Sequence, residues 1–277
     1  LHELRLIKSK HEIELMQRAA EISAEGHRQA MAVCAPGVHE FTLEAELNYA
    51  FTRGGSRAPA YNSIVAAGEN ACILHYDRND AEVKDGDLIL IDAGCEYKYY
   101  ASDITRTFPA NGTFNPQQRA IYELVLKAQD SAIDAVQPGA PWDAPHNASV
   151  RVITQGLIKL GLIEGTLAKA IKAEAYRDFY MHRVGHWIGI DVHDVGDYKI
   201  DEKWRLLEPG MVTTIEPGIY IAPDNKHVPK KWRGIGVRIE DDVLVTKNGN
   251  RVLTTGIPKT VAEIETFMAQ AKQKRAA

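Results

Sequence analysis

No stretch of this 277-residue chain approaches the roughly 18 apolar residues that a bilayer-spanning helix needs, so a membrane is not an expected partner. Basic blocks are missing too, apart from the short Lys230-Lys231-Trp232-Arg233 run, and the net charge is -4, which argues against nucleic acid. Cysteine is scarce. Cys34, Cys72 and Cys95 are odd in number and far apart, which argues against a disulfide framework or a CxxC metal clip. They read as buried thiols in a reducing, cytoplasmic compartment. Without a secretory signal, the sequon matches at Asn111 and Asn147 read as chance. The chain opens on Leu1 rather than Met, as expected of a fragment or a processed form. What remains is ordinary for a globular protein, 45% hydrophobic and 25% charged. With no Pro/Gly/Ser-rich linker in view, residues 1–277 read as one domain.

The stretch that organises the chain is DGDLILIDAGCEYKYYASDITRTF, residues 85–108. Four aliphatic residues after the Asp85-Gly86-Asp87 turn predict a buried strand that ends on Asp92. A second extended run over 97–108 predicts a hairpin, with Ala101, Asp103, Thr105 and Thr107 on one face. Two acids in neighbouring strands are costly unless paired or bound to a cation. An edge hairpin with one solvated acid is the plainer alternative.

Around that hairpin, Ser9 and Glu12 form a capping box that starts a helix running to Ala35-Pro36-Gly37. Further helices are expected at 42–51, 116–136, 144–160, 167–175 and 261–271. Strands are expected at 61–67, 71–75, 211–215 and 235–246. The halves repeat: Asp85-Gly86-Asp87-Leu88-Ile89-Leu90-Ile91-Asp92 is echoed by Pro209-Gly210-Met211-Val212-Thr213-Thr214-Ile215-Glu216. Each is a turn glycine, five strand residues and an acid. The expected fold is therefore α+β, two halves about a pseudo-two-fold axis, with Asp92 and Glu216 meeting in the middle.

Two further groups of polar residues stand out. In Ile235-Gly236-Val237-Arg238-Ile239-Glu240, alternation puts Arg238 and Glu240 on one face of a strand, where a simple Arg–Glu pair is one reading. His182, His186 and His193 fall within twelve residues, and His75 lies at a strand end. The HxxxH spacing of His182 and His186 invites a helical zinc-protease motif, but Arg183 stands where that motif needs Glu, and Gly185 and Gly189 disfavour a helix. Four carboxylates with one imidazole suit hard to borderline divalent ions, and that much charge favours two ions sharing bridging carboxylates.

The ordered set Asp92, Asp103, His186, Glu216 and Glu240, in the contexts IDAG, SDITRTF, GHWIGIDVHD, IEPGIY and RGIGVRIED, resembles the pita-bread-fold metallopeptidases, and in particular the Xaa-Pro aminopeptidases (aminopeptidase P). The resemblance runs from about Ile7 to Phe267. It implies a pita-bread fold, an antiparallel sheet with helices on its outer face. It implies hydrolysis of the bond between an N-terminal residue and a following proline, by a hydroxide held between two divalent ions, Mn²⁺ first, with Co²⁺ or Zn²⁺ as alternatives. Asp92 would hold one ion, His186 and Glu216 the other, and Asp103 and Glu240 would bridge both. Glu216 would also be the general base. His75, His182 and His193 would line the substrate site, His193 facing the tetrahedral intermediate, while Tyr220 and Arg238 would support substrate binding. Peptides with proline second would be the partners, and a homo-oligomer is compatible with the family. Two departures stand out: Arg183 replaces a glycine common in relatives, and the N-terminal domain usual in the family is not expected within this chain. Prolidase activity on Xaa-Pro dipeptides is the nearest alternative, and a peptide-binding module without chemistry a remote one.

Overall fold

In the first half of the chain, helices precede strands. The structure, a computed structural model, describes residues 1–276; Ala277, the last residue of the expected domain, lies outside them. A short helix α1 (His2–Leu6) leads into α2 (Lys10–Val33), which opens on the expected capping box: Ser9 N donates to Glu12 Oε2 at 2.7 Å, and Glu12 N donates to Ser9 Oγ at 3.4 Å. Helix α3 (Glu40–Gly54) packs against α2. Strands β1 (Ala58–Pro59), β2 (Ile64–Ala67), β3 (Leu88–Asp92), β4 (Cys95–Tyr97), β5 (Tyr100–Ala101) and β6 (Thr105–Pro109) follow. β3 lies between β2 and β6, antiparallel to both, and Asp92 stands opposite Ile64 on one side and Thr105 on the other.

The second half repeats the order. Helix α4 (Pro116–Asp134) packs against α5 (Ala144–Lys159), followed by α6 (Leu167–Lys172). Then come β7 (Lys199–Ile200), β8 (Lys203–Trp204), β9 (Val212–Ile215), β10 (Gly218–Ile221), β11 (Ile235–Arg238), β12 (Asp241–Thr246) and β13 (Gly249–Val252), closed by α7 (Val261–Ala276). β12 lies between β9 and β13, and β10 pairs with β11, all antiparallel.

The sequence repeat is a structural repeat. Asp87 N donates to Lys84 O at 3.2 Å, and Met211 N donates to Glu208 O at 3.1 Å. The glycine in each turn sits at positive φ, +87° for Gly86 and +97° for Gly210, where a Cβ would be strained. Both turns therefore launch a strand with one register, and both strands deliver an acid at their far end. The halves join where Glu240 N donates to Thr105 O at 3.0 Å. Ile89, Ile91, Val237 and Ile239 bury themselves in one core with Leu43, Phe51, Ile121 and Val125. Each such side chain contributes roughly 1.5 to 3 kcal/mol. That shared core holds Arg238 and Glu240 on the opposite face. The result is the expected α+β arrangement of antiparallel sheets with paired helices.

Several elements differ from expectation. Residues 71–75 do not form a strand, because 68–72 coils into a 3₁₀ turn whose Asn70 carbonyl accepts from Ile73 N. The 97–108 run is interrupted: Lys98 and Tyr99 at φ +50° and +74° make a tight turn between β4 and β5, and residues 102–104 leave the ladder before β6. The 235–246 run breaks at Ile239-Glu240, where the chain passes from one sheet to the next. The strand expected at 61–67 begins only at Ile64. The closing helix continues through the basic residues to Ala276, since nothing there stops it. Cys34 and Cys95 are buried thiols as expected, while Cys72 is only partly buried. Among the described residues, no helix is long and apolar enough to cross a membrane.

Candidate active site

Four of the five expected ligands lie at or just beyond strand ends, so sheet packing fixes their backbones. Asp92 closes β3, Asp103 precedes β6, Glu216 follows β9 and Glu240 lies between β11 and β12. The fifth, His186, sits on an irregular segment laid along β9: its carbonyl accepts from Thr214 N at 3.0 Å, and Ile188 N donates to Val212 O at 3.3 Å. No helix forms there, as the glycines predict. All five side chains line one cavity of about 550 Å³, together with His75, His182, Arg183, His193 and Arg238.

One ligand atom each from Asp103, His186 and Glu240 lies within 4.8 Å of the others. His186 Nε2 is 3.4 Å from Asp103 Oδ2 and 3.6 Å from Glu216 Oε1. His186 Nδ1 donates to the Trp187 carbonyl at 3.0 Å, which leaves a lone pair on Nε2 unless it takes a proton. Between two carboxylates, Nε2 must face them with either a proton or a cation in place. Burial alone would make the imidazole harder to protonate, but Asp103 and Glu216 outweigh it and hold it up at about 9. Burial pushes Asp92 up, Glu240 well up, and Glu216 to about 7. Asp103 is buried as well, yet its His186 contact holds it below the usual carboxylate range. Crowding four acids into one cavity thus strains their ionisation, and a divalent cation would relieve it. The donor set, carboxylate oxygens with one imidazole, fits such ions.

The surrounding residues orient these groups. Arg238 pairs with Asp92, at 2.7 Å to Oδ2, rather than with Glu240 two residues on. Its Nε donates to Thr105 Oγ1 at 3.2 Å, and Thr105 donates to Glu240 Oε2 at 2.6 Å. The acid run at 240–242 splits by strand alternation. Asp241 turns away to Arg106 at 2.7 Å, while Asp242, on the same face as Glu240, accepts from Asp103 N at 3.1 Å.

Not every histidine faces a ligand in the same way. His182 Nδ1 donates to the Arg183 carbonyl at 2.7 Å, and its Nε2 accepts from Tyr220 Oη at 2.9 Å. Tyr220 Oη in turn accepts from Arg238 at 2.9 Å. Burial pushes His182 down to about 3, so it is neutral. Tyr220 is buried behind His182 and Arg238 and is not part of the cavity lining. His193 is exposed at its outer edge, stands edge-on to His186 with ring centroids 4.4 Å apart, and is pushed down by partial loss of solvent around the ring and by His186. His75 lies exposed on the cavity wall. Arg183 lines the mouth, its guanidinium 5.1 Å from the Trp204 ring centroid.

Sequence reasoning passed over Tyr61, Thr105 and Asp242. Tyr61 donates to Asp92 Oδ1 at 2.7 Å and reaches Asp103 Oδ1 at 2.5 Å. Its position between two acids follows from the tertiary fold, and no local pattern marks it. Thr105 and Asp242 flank recognised residues, and their alternation with Asp103 and Glu240 was the available signal.

The chain is similar to known peptidases over nearly its whole length. The Xaa-Pro aminopeptidase of Haemophilus influenzae is 54% identical over 268 residues, 97% of this chain and 62% of the relative. Human Xaa-Pro dipeptidase is 39% identical over 300 residues, 96% of this chain and 61% of the relative. The solved structure of Pseudomonas aeruginosa aminopeptidase PepP superposes with a TM-score of 0.98 at 65% identity, covering 99% of this chain and 62% of that one. The chain thus spans a little over three fifths of the length of these three relatives. The model of metallopeptidase family M24 matches residues 14–247, a span that holds all five candidate ligands, and the chain belongs to that family.

Proposed function

We propose that residues 1–277 form one pita-bread catalytic domain that removes the N-terminal residue from peptides with proline second. The observation that carries this is the convergence of Asp103, His186 and Glu240, flanked by Asp92 and Glu216, within one cavity. Two divalent ions, Mn²⁺ first and Co²⁺ or Zn²⁺ next, would suit this donor set and would be held by Asp92, Asp103, His186, Glu216 and Glu240. When bound, such ions lower the pKa of water and polarise a carbonyl.

The side chains of this protein supply the rest. Glu216 takes a proton from the attacking water and returns it to the proline nitrogen, which has no N–H of its own. His193, exposed beside His186, donates to the scissile carbonyl oxygen as negative charge gathers there. His75 and neutral His182 shape the wall on which the substrate lies. Arg238 and Tyr220 act from behind, Arg238 by fixing Asp92 and Tyr220 by fixing His182. The three unpaired thiols suit a reducing, cytoplasmic setting.

Cleavage of Xaa-Pro dipeptides is the second reading, favoured by the 39% identity to the human dipeptidase. One experiment addresses both readings: Xaa-Pro, Xaa-Pro-Xaa and longer peptides, with chelator or with added Mn²⁺. Metal-dependent release of the first residue from tripeptides and longer substrates is expected. Activity on dipeptides alone would favour the second reading, and no activity on any of them would remove both.

A further inference from the structure

Between Ile188 and Asp194 the chain carrying His193 leaves the sheet. His186 has the ladder of β9 to fix it, but His193 has none. The excursion closes where Asp194 N donates to Trp187 O at 2.9 Å. Among the described residues, the one further backbone tether from residues 189–193 to another part of the chain is the Gly189 carbonyl, which accepts from Ala101 N at 2.8 Å. A short irregular loop of this kind has many accessible conformations, and only some aim His193 into the cavity.

Side chains near the start of the chain supply the missing constraint. Asp194 has a side chain only 1% exposed, and it accepts from Lys8 Nζ at 3.3 Å, from Val195 N at 2.9 Å and from Arg5. The Lys8 side chain is equally buried, and its backbone N donates to Gly210 O at 2.9 Å, tying it to the turn that launches β9. Arg5 also reaches Asp191 Oδ2 at 2.7 Å. One guanidinium therefore grips the acids on both sides of Val192-His193. The loop is moulded to this cluster: a Cβ on Gly189 would stand 2.2 Å from Asp194 Oδ2 and 2.9 Å from Lys8 Cε.

A purely stabilising role explains the cluster poorly. Burying a lysine and an aspartate costs several kcal/mol per ion, and their attraction often no more than offsets this. What such a pair can do well is select one conformation. Both cations also precede residue 14, where the family match begins.

We propose that Arg5 and Lys8 are positioning residues for His193, clamping Asp191 and Asp194 so that the imidazole faces the scissile carbonyl. This rests on the reading of His193 given above. A displacement of about 1 Å can cost a reaction roughly 10²-fold.

The test is a double-mutant cycle on the metal-loaded enzyme with an Xaa-Pro-Xaa tripeptide, recording kcat, KM, metal content and Tm. Arg5→Gln and Lys8→Met should each lower kcat by about tenfold or more, with KM and metal content near wild type. In a His193→Ala background the same changes should cost nothing further. Lys8→Arg should restore most of kcat. Arg5 is the partly exposed member of the cluster, so Arg5→Gln keeps the test open should Lys8→Met fail to fold. Equal losses in both backgrounds, or losses that track metal content or Tm, would overturn the positioning role. If His193→Ala itself keeps wild-type kcat, the reading of His193 fails and the clamp falls with it. If His193→Ala is impaired but the cation variants are not, the clamp alone is wrong.

Discussion

The phenol of Tyr61 spans two acids, 2.7 Å from Asp92 Oδ1 and 2.5 Å from Asp103 Oδ1. It has one proton to donate and two carboxylates to serve. Burial and the acids beside it push the phenol well above its ordinary value, so it remains a donor. Asp92 has Arg238 as a second partner, and Asp103 has His186. The pair is thus held by neutral and cationic donors that a divalent ion would supplement.

That relationship gives a stability prediction. Tyr61→Phe leaves buried carboxylates short of a donor, at a cost of about 1 to 3 kcal/mol. Divalent ions counter the same charge, so the loss should be large in chelator and small in Mn²⁺. Thermal melts of wild type and variant under both conditions check this. Equal losses with and without metal would make the hydroxyl a packing group.

The two carboxylates clustered with His186 give a binding prediction. Asp103 and Glu240 sit with His186 at the centre of the cluster, while Asp92 and Glu216 flank it. Asp103→Asn or Glu240→Gln should therefore remove both ions, leaving metal content near zero and no peptidase activity. Full metal occupancy in both variants would take these residues out of the site.

Much of this site could be read before any coordinates, for an identifiable physical reason. Asp92 and Glu216 each end a strand launched by a glycine turn, and that pattern is local. Alternation in the strand before Glu240 placed Arg238 on the same face, but the partner of Arg238 was beyond reach, because Asp92 lies 146 positions away. Tyr61 was illegible for the same reason. The 97–108 run misled because β-branched and aromatic residues favour a strand, while Lys98 and Tyr99 adopt positive φ under tertiary constraint. The Asp194 cluster depends on residues more than 180 positions apart, which no local pattern reports.

A pH prediction follows from His27, which lies behind the Asp92 strand. Its Nε2 donates to Ala93 O at 2.9 Å, and burial pushes it from 6.5 down to about 4. Above pH 6.5 it is neutral in both folded and unfolded chains and contributes no pH dependence. Between about 6.5 and 4 the unfolded chain binds a proton that the folded one does not, so stability falls as pH falls. The full loss is about 3 kcal/mol. His146 and His182 act with the same sign. Urea unfolding at pH 7 and pH 5 should show a smaller loss for His27→Gln than for wild type. Identical losses would mean that His27 does not titrate in this way.

Glu216 poses the last question, because one side chain is assigned both ligation and proton transfer. Its Oε1 accepts from Thr214 Oγ1 at 3.4 Å and lies 3.6 Å from His186 Nε2, while its Oε2 lies 3.9 Å from His182 Nδ1. Burial raises it to about 7, a value suited to exchanging protons near neutral pH. Glu216→Gln keeps the shape and one acceptor oxygen but cannot take a proton. If proton transfer is the larger role, kcat should fall by at least about 10²-fold while the fold and most of the metal remain. If ligation is the larger role, metal content should fall in step with kcat, and excess Mn²⁺ should restore part of the activity. Near-normal turnover with both ions bound would move the base to another residue.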